Sequence, residues 1–459
     1  MKFSKYVHFY PIADNTIGVY HSLLLETLFL EKKEVQNINT YFATNVLTDK
    51  QELKNTVEYL YQHYFIVESD EEDKDMYSKS VDLITQPIIE NVFVIVTESC
   101  NFNCKYCFVN ESVNSNRKDK LMTEDVAKAT VALLQKTYEQ EKSEFPKIIT
   151  FFGGEPLLNF KIIKTFIEEI EHVKTLRYWP EDVKYSVVTN ASLLTSNMID
   201  FFKQNDFTLG ISFDIDKDAH SERVDKNGND TFNLVREKID LCKEKEIQFT
   251  LSITITETLI KNRNKIIAEI LSIKPHDISF NLLLPSKNQE QNNKYYEDAT
   301  DFIIEMFQIF REHGIYEDRI MRKVKAFTEN HLYLFDCCAA GGSQYVIAPK
   351  GEIGICHGFL NNRKYFSSSV FDENFNPNTN ENFKYWRDRT PLLMEKCLDC
   401  ECLGICGGGC PYAAEFAHGS IYELDERFCV HAKRLLRWLI NDLFNITQIN
   451  ETVDNNRLN

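Results

Sequence analysis

The pattern of apolar and polar positions divides the chain into three parts, of which the central one is the most regular. From about residue 92, short apolar runs alternate with amphipathic stretches of helical period, such as Thr123–Tyr138 and Phe160–Val173. This alternation predicts parallel βαβ units, and six of them can form an open, partial barrel with its site at the carboxyl ends of the strands. The six candidate strands are Val92–Thr97, Ile148–Phe152, Tyr185–Thr189, Thr208–Phe213, Phe249–Ile255 and Ile278–Leu284.

The first part of the chain is predicted to be a small domain of its own. Strand-like stretches at Tyr6–Tyr10 and Thr16–Tyr20 are followed by a leucine-rich stretch, Leu23–Lys32, in which we expect a helix. The acidic run Glu68–Asp75 is expected to be an exposed turn or linker. Before it, a second amphipathic helix and a short strand are predicted from Leu53, Val57, Leu60, Tyr61, Tyr64 and the apolar run Phe65–Val67.

The last part is rich in cysteine and poor in helical periodicity until a final amphipathic helix, predicted over Val430–Phe444 and followed by a polar tail, Asn450–Asn459. The buried face of this final helix is expected to carry Leu435, Leu436, Leu439, Ile440 and Leu443. The predicted division of the whole chain is 1–75, a linker 76–91, the barrel 92–300, a bridging helical region 301–335, the cysteine-rich region 336–432, and a helix with tail 433–459.

Composition and charge narrow the function classes. No apolar run of the 459 residues approaches the roughly 18 needed to span a bilayer, and the N-terminus lacks the features of a signal peptide. We therefore expect a cytoplasmic protein without a membrane partner. The net charge of −17 argues against nucleic-acid binding, which needs a basic face. Thirteen cysteines in a large chain without secretion signals favour metal or cluster ligation over disulfides.

The first cysteine group follows the first barrel strand. Cys100, Cys104 and Cys107 have the spacing C-x3-C-x2-C, and three thiolates on one short loop suit a 4Fe–4S cluster whose fourth iron stays open. The alternative is a zinc site, although zinc normally takes four ligands from paired C-x2-C knuckles. Other polar motifs end the next three strands: Gly153-Gly154-Glu155-Pro156, Thr189-Asn190, and Asp214.

The sequences TESCNFNCKYCF and FFGGEP together resemble the radical S-adenosylmethionine (radical SAM) superfamily over about residues 92–300. The resemblance implies that the three cysteines hold the cluster and that the amino and carboxylate groups of SAM chelate its fourth iron. It also implies that Gly153 and Gly154 let the backbone approach the SAM ammonium, from which Glu155 accepts a charge-assisted hydrogen bond. The remaining candidate cofactor-binding residues on this resemblance are Tyr106, Thr189, Asn190, Ser212 for the ribose, and Arg223 for the SAM carboxylate.

The C-terminal cysteines form a second pattern, C-x12-G-x4-C followed by C-x2-C-x5-C-x3-C and one more cysteine. This pattern resembles the SPASM extension of radical SAM enzymes that act on peptides and proteins. The resemblance implies two auxiliary 4Fe–4S clusters, so that the chain would hold three; the alternative is a zinc ribbon. The first auxiliary cluster would take Cys338, Cys356 and Cys410, with an open iron, and the second would take Cys397, Cys400, Cys406 and Cys429. Cys242 is expected in the core, and Cys337 and Cys402 have no assigned role.

The N-terminal region resembles the small winged-helix domains that bind a precursor's leader peptide as an added strand; the alternative is a structural cap on the barrel. The resemblance as a whole implies a maturase that modifies a ribosomally made peptide through a 5′-deoxyadenosyl radical. A flavodoxin or ferredoxin would be the electron donor. If a peptide thiolate binds the open auxiliary iron, the expected product is a thioether.

Three enzymatic alternatives and one non-enzymatic alternative remain open at this stage. The nearest is an anaerobic sulfatase-maturing enzyme, in which an aspartate base follows the cysteine that here is Cys356. This chain has His357 at that position, which is therefore a possible catalytic residue. Peptide epimerisation and carbon–carbon cross-linking are the other two reactions. A zinc-binding interaction protein is the alternative outside enzymes, and iron and sulfide analysis separates it from the rest.

Overall fold

The computed structural model describes residues 1–46, 51–84, 88–114, 120–285, 292–336 and 340–457. The strands are β1 (Lys2–Phe3), β2 (Val7–Ala13), β3 (Thr16–His21), β4 (Thr27–Glu31), β5 (Ile66–Val67), β6 (Asn91–Thr97), β7 (Lys147–Gly153), β8 (Val183–Thr189), β9 (Phe207–Ser212), β10 (Phe249–Ile255), β11 (Asp277–Leu282), β12 (Tyr316–Glu317), β13 (Gln344–Ile347), β14 (Glu352–Gly354) and β15 (Phe366–Ser369).

The helices are α1 (Lys32–Thr44), α2 (Gln51–Gln62), α3 (Asp70–Asp82), α4 (Asn110–Val113), α5 (Glu124–Glu141), α6 (Phe160–Lys174), α7 (Ser196–Gln204), α8 (Lys217–His220), α9 (Phe232–Glu244), α10 (Glu257–Lys261), α11 (Arg263–Ile273), α12 (Asn293–Glu312), α13 (Asp318–Thr328), α14 (Glu381–Arg387), α15 (Pro411–His418) and α16 (Glu426–Arg457). Short 3-10 turns occur at Pro156–Asn159, His357–Phe359, Pro391–Leu393 and Glu395–Cys397.

A ten-stranded, mostly parallel sheet forms the centre of the molecule. The six predicted strands are confirmed as β6 to β11, which lie side by side in chain order and pair in parallel. β12 extends this sheet beyond β11. On the other edge β13 pairs in parallel with β6, and β14 and β15 continue antiparallel. The first strands of the cysteine-rich region therefore belong to the same sheet as the predicted barrel.

Both faces of the first central strand are covered, as expected for a parallel sheet. Val92, Val94 and Val96 of β6 pack into the large core that includes the outer helices α5 and α6. Phe93 and Ile95 point to the opposite face and contact a smaller apolar cluster that includes Cys100 and Cys107 from the loop and Leu360 from the C-terminal region. The inner face of the sheet thus brings the two cysteine-bearing regions together.

In the N-terminal region β2, β3 and β4 form an antiparallel sheet. The helix expected over Leu23–Lys32 is wrong, because the chain turns near Leu25, which has a left-handed φ of 58°, and then forms β4. The leucines of this stretch alternate as in a strand: Leu28 and Leu30 face the core of α1 and α2, whereas Phe29 packs on Phe444 of α16. The number of leucines suggests a helix, but the alternation of their side chains between two faces is that of a strand.

The exposed turn or linker expected over Glu68–Asp75 is also wrong, since α3 begins at Asp70. Four acidic residues in its first turn suit the positive end of the helix dipole. Asp73 is buried and accepts hydrogen bonds from the Ser4 hydroxyl (2.6 Å) and the Lys5 amide (3.2 Å). The helix crosses the predicted boundary between residues 75 and 76, so a truncation there would cut it.

The final helix is longer than predicted. α16 begins at Glu426, four residues before Val430, and continues to Arg457 through part of the tail. Leu435, Leu436 and Ile440 are buried as expected, and bidentate contacts of 2.8 Å join Arg311 of α12 to Asp442. No helix within the described residues combines the length and the apolarity that crossing a bilayer requires.

Candidate active site

The cysteine loop lies at the carboxyl end of β6, where the sequence predicts it. Backbone hydrogen bonds hold it against the segment after α8: Asn103 donates to Val224 O (2.8 Å) and Lys105 donates to Glu222 O (3.1 Å). The three thiols are close enough to influence one another. Burial, with smaller contributions from the charges of Glu155, Cys104 and Cys107, raises the pKa of Cys100 to about 12. A positive group such as an iron cluster would reverse this effect.

Gly153 and Gly154 seat this loop against β7. The Gly154 amide donates to Thr97 O (2.9 Å) and the Glu155 amide donates to Ser99 O (2.8 Å). A Cβ on Gly153, whose φ is +153°, would lie 2.1 Å from Thr97 O, and one on Gly154 would lie 2.3 Å from Ser99 O. The close backbone approach is therefore made to the cysteine loop itself. Contact of these glycines with a SAM ammonium stays a prediction.

The Gly154→Ala variant is therefore expected to lose the cluster of this loop. The added methyl group has no room beside Ser99 O, so the loop must move away from β7. After anaerobic reconstitution we expect about four fewer irons than in the parent protein. The matched control is Gly210→Ala in β9, where the nearest atom to the new Cβ is Val188 Cγ2 at 3.3 Å. Equal iron content in the two variants would show that the glycine is not needed for the loop.

Glu155 joins the ends of two strands. Its buried carboxylate accepts hydrogen bonds from Leu157 N (3.0 Å), the Thr189 hydroxyl (2.6 Å) and Asn190 N (2.8 Å). Burial raises the pKa of Glu155 to about 7, although these three donors oppose the rise. Asn190 in turn places its side-chain amide 3.9 Å from Cys100 Sγ. The residues predicted at the ends of β7 and β8 thus form one network that reaches the cysteine loop.

Asp214 has a larger role than the sequence indicated, where it only ended the fourth strand. Its carboxylate accepts from Arg223 Nε (2.9 Å) and Nη2 (3.1 Å), from the Tyr106 hydroxyl, and from Thr254 N (2.9 Å). The Arg223 guanidinium lies 5.2 Å from the centre of the Tyr106 ring. Its charge also opposes the burial that raises the pKa of Cys104. An Asp at a strand end with an Arg nine residues later was the available sequence signal for this pair.

Ser212 is the last residue of β9 and is half-buried, next to Ser252 in the register with β10. It therefore lies at the same edge of the sheet as Asp214 and Asn190. The structure brings the predicted residues at the ends of β6 to β9 to one edge, as parallel strands require. Their contacts with SAM stay predictions.

Four C-terminal cysteines form a second group: Cys397, Cys400, Cys406 and Cys429. Burial and the charges of Cys406 and Cys400 raise the pKa of Cys397 to about 12. Burial raises the pKa of Cys429 as well, and the charges of the other three thiols add to it. Since Cys406 also lies in the field of Cys400, every pair in this group interacts. The resemblance assigns these four residues to one cluster, and that assignment stays a prediction.

The third predicted group is only partly described. Cys338, with its neighbour Cys337, lies outside the described residues. Cys356 precedes a 3-10 turn, and its Sγ accepts from Gly358 N (3.4 Å). The Cys410 amide donates to Asp425 (3.1 Å). Within the described part of the chain no three or more His, Cys, Asp or Glu side chains converge as a single metal ion would require.

His357 lies between the two cysteine-bearing regions. Its ring centre is 4.9 Å from that of Phe93, 5.1 Å from Phe152, and 5.3 Å from Phe108, which follows Cys107. Burial lowers the pKa of His357 to about 4, and its buried Nδ1 has no hydrogen-bond partner among the described residues. The side chain is therefore a neutral ring in an aromatic setting, unlike a carboxylate base. Cys242 is in the core, as expected.

The model of the radical SAM superfamily matches residues 94–271. This stretch contains the end of β6, the whole of β7 to β10, the cysteine loop, the Gly-Gly-Glu motif and the Asp214–Arg223 pair. The central region is a radical SAM domain. The family implies a 4Fe–4S cluster and SAM, and the donor set fits them. Cys100, Cys104 and Cys107 form a mutually interacting group of soft thiol ligands on one loop, beside polar groups from three further strand ends.

Relatives among characterised proteins extend the likeness beyond this domain. The radical SAM cyclopropyl synthase TigE of Paramaledivibacter caminithermalis is 25% identical, and the match covers 96% of this chain and 96% of TigE. A cysteine-type anaerobic sulfatase-maturating enzyme of Clostridium perfringens is 24% identical over 76% of this chain and 96% of its own length. The chain is thus related to radical SAM maturases, and its cysteine-rich C-terminus fits a SPASM-type extension.

Solved structures share the fold. Native anSMEcpe with bound AdoMet superposes with a TM-score of 0.66 at 19% identity, covering 78% of this chain and 99% of that one. Streptococcus suis SuiB bound to S-adenosylmethionine has a TM-score of 0.50 at 15% identity, covering 94% and 100%. At these identities the likeness concerns the α/β architecture with its central, mostly parallel sheet.

Proposed function

We propose that this protein is a radical SAM maturase that forms a new bond within a ribosomally made precursor peptide. The observation that carries the proposal is the match to TigE over 96% of both chains, which includes the N-terminal and C-terminal regions flanking the radical SAM domain. With its cluster reduced and SAM bound, the site would supply a 5′-deoxyadenosyl radical that removes hydrogen from a peptide carbon. The protein contributes position and the exclusion of water.

The residues of the SAM site have distinct tasks in this proposal. Cys100, Cys104 and Cys107 hold the cluster, and Gly153 and Gly154 keep its loop against β7. Oε1 of Glu155 accepts two of the three hydrogen bonds and Oε2 accepts one, so Oε2 would keep one acceptor site for an ammonium. Arg223 is held by Asp214 beside Cys104, where its charge suits the SAM carboxylate. The rim of the site is completed by four further residues: Ser212, Thr189, Asn190 and Tyr106.

The C-terminal region would hold the two auxiliary clusters. The mutual interaction of Cys397, Cys400, Cys406 and Cys429 supports a four-ligand cluster there. Cys356 and Cys410, with Cys338, would hold the other. Its position is favourable for chemistry, because His357 next to Cys356 touches Phe108 next to Cys107. A peptide bound alongside these two loops would meet both proposed clusters.

The N-terminal region would bind the precursor's leader. β2 and β4 are the outer strands of its antiparallel sheet, and an extended peptide can add to such an edge through main-chain hydrogen bonds. A flavodoxin or ferredoxin is the proposed electron donor, and the cytoplasm the proposed location.

Two products are supported by different observations. The full-length match to a cyclopropyl synthase favours carbon–carbon bond formation, which would close a three-membered carbon ring. The three-cysteine set at Cys356 favours the thioether, because an iron with three protein ligands can bind a peptide thiolate. We rank carbon–carbon bond formation first, because the match that supports it extends over 96% of this chain. Sulfatase maturation is supported less than either of these products, because the neutral His357 replaces the aspartate expected of such an enzyme.

The test is the product formed from a short precursor peptide encoded beside the gene. Either bond removes two hydrogen atoms from the peptide. A carbon–carbon link leaves every peptide thiol open to alkylation, whereas a thioether consumes one nucleophilic thiolate. We expect the dehydrogenated peptide with its thiols free, and tandem mass spectrometry would locate the new ring. A dehydrogenated peptide with one blocked cysteine would put the thioether first, and an unchanged mass would point to epimerisation and contradict bond formation.

A further inference from the structure

The inner face of the central sheet is polar where β10 and β11 form it. Ile253 of β10 packs in the large core, so its neighbours Ser252 and Thr254 lie on the opposite, inner face, where both are half-buried. Phe280 of β11 packs in the same core, which places Asn281 on the inner face as well. A ligand on this face of the sheet would therefore meet hydroxyl and amide groups at these two strands.

This polar face is continuous with the candidate active site. In the register of the sheet, Ser252 pairs with Ser212 of β9, and Thr254 pairs with Asn281. The Thr254 hydroxyl accepts from Arg223 Nη2 (3.4 Å), and Asn281 Nδ2 donates to Ser252 Oγ (3.1 Å). Since neighbouring strands are about 5 Å apart, Asn281 lies only one strand beyond the residue that Arg223 contacts.

Arg319, the second residue of α13, reaches the inner face from beyond β11. Its Nε donates to Phe280 O (3.1 Å) and its Nη2 donates to Asn281 Oδ1 (2.7 Å), so the guanidinium is held at two atoms. The side chain is half-buried. Within the described residues its Nη1 has no hydrogen-bond partner, and that atom is still accessible. The Glu317 carboxylate, two residues earlier, caps the amides at the start of the helix and does not pair with the guanidinium.

The other acidic residues near Arg319 are already paired. Asp318 forms an ion pair with Arg322 (2.9 Å), and the buried Asp336 forms one with Lys323 (3.2 Å). Of these three basic side chains of α13, Arg319 is the one without a carboxylate partner in the part of the chain that the structure describes. A partly buried charge without a counter-charge is costly, and a guanidinium with a free donor matches a carboxylate in shape and charge.

We propose that Arg319 binds a carboxylate of the precursor peptide, and that Asn281 holds the guanidinium in the orientation that this contact needs. A peptide anchored there would place its reacting residue beside the strand ends that form the SAM site, and such positioning is a large part of catalysis. The carboxylate belongs to an acidic side chain or to the C-terminus of the peptide. The inference rests on the proposed function, because the ligand is the precursor, but not on which bond the enzyme forms.

The experiment uses the full-length, anaerobically reconstituted protein and the precursor peptide encoded beside the gene. Arg319→Gln should lower kcat/KM for the precursor by about tenfold to a hundredfold, the effect of losing a hydrogen bond to a charged group, at equal iron content. Arg319→Lys keeps the charge but not the planar fork, and should recover part of this loss. The matched control is Arg263→Gln, which removes a guanidinium paired with Glu305 at 3.1 Å and should leave kcat/KM unchanged.

Variants of the precursor identify the carboxylate. Each Asp and Glu of the peptide is replaced in turn by Asn or Gln, and one further peptide carries a C-terminal amide. One of these changes should lower kcat/KM of the parent enzyme as much as Arg319→Gln does. It should have no further effect on the Arg319→Gln enzyme, because both changes remove the same contact. A side-chain replacement with this behaviour identifies an acidic residue, and the amide with this behaviour identifies the C-terminus.

The failure of this inference can be told apart from the failure of the proposed function. If the parent enzyme leaves the precursor unmodified, the proposed function fails and the inference fails with it. If the precursor is modified but Arg319→Gln has the same kcat/KM as the parent, the inference alone is overturned. A raised KM for SAM in Arg319→Gln, with no peptide change coupled to it, would assign the guanidinium to the SAM carboxylate and also overturn the inference.

Discussion

Replacing Cys100, Cys104 and Cys107 together with Ala is expected to remove about four of the roughly twelve irons that three 4Fe–4S clusters contain. It should also abolish formation of 5′-deoxyadenosine. All three thiols lie on the single loop after β6, and the remaining polar groups at the strand ends are oxygen and nitrogen donors, which suit iron–sulfur clusters poorly. Iron analysis and chromatography of the nucleoside products measure the two effects.

Two control variants separate this loss from general damage. Cys242→Ala removes a buried cysteine of α9 and should leave both iron content and SAM cleavage unchanged. The Cys397→Ala/Cys429→Ala variant should lose a similar amount of iron from the C-terminal region while the SAM site stays intact. If the triple variant still produces 5′-deoxyadenosine, the assignment of the catalytic cluster to this loop is wrong.

The central fold could be predicted from the sequence because the strands are short, apolar and well separated. The run Phe249–Ile255 was predicted with the bounds it has in the structure, and the other five strands differ by at most two residues at either end. Parallel pairing followed from the helices between them, since parallel neighbours need a crossover connection. The pairing of β13 with β6 in the same sheet could not be predicted. β13 has only four residues, and so short a stretch does not indicate with which strand it pairs.

The two errors in the N-terminal region have a common cause. Composition suggested a helix for the leucines near Leu28 and a linker for the acids near Asp73, but both are decided by tertiary contacts. Leu28 faces the core of α1 and α2 within a sheet. Asp73 is buried against Ser4, which lies 69 residues earlier. Such distant partners are invisible in a local pattern.

The candidate site shows the same division between local and distant information. The cysteine spacing and the Gly-Gly-Glu motif are local, and they were found. Two donors to Glu155 come from the end of β8, so this link between the ends of β7 and β8 could not be derived from spacing. The Asp214–Arg223 pair left a local signal in its nine-residue spacing, but the further bonds of Asp214 to Tyr106 and to Thr254 N join distant segments. The hydrogen bond from the Gly404 amide to Ser22 O joins the end of β3 to the Cys400 loop across some 380 residues of sequence. It emerges only when β3 is seen packed on that loop.

The Asp214→Asn variant is expected to lower the free energy of unfolding by about 3–5 kcal/mol, because it leaves the buried Arg223 guanidinium without a counter-charge. The exposed fractions of the two side chains are 8% for Arg223 and 0% for Asp214, so water cannot compensate. Chemical denaturation at equal iron loading measures the effect. The same variant should weaken SAM binding, since Asp214 also holds Tyr106, which lies within the cysteine loop.

The matched control is Asp230→Asn, which removes the carboxylate of an exposed pair with Lys217 at 3.4 Å. A surface pair of this kind contributes about 1 kcal/mol or less. Adding Arg223→Met to Asp214→Asn removes the uncompensated charge and should recover part of the lost stability, while SAM binding stays weak. The different responses of stability and SAM binding distinguish the two roles of the pair, because stability depends on the balance of buried charge, whereas SAM binding depends on where Asp214 holds Tyr106 and the Arg223 guanidinium. If Asp214→Asn cost no more than Asp230→Asn, the pair would not be the electrostatic centre of the site.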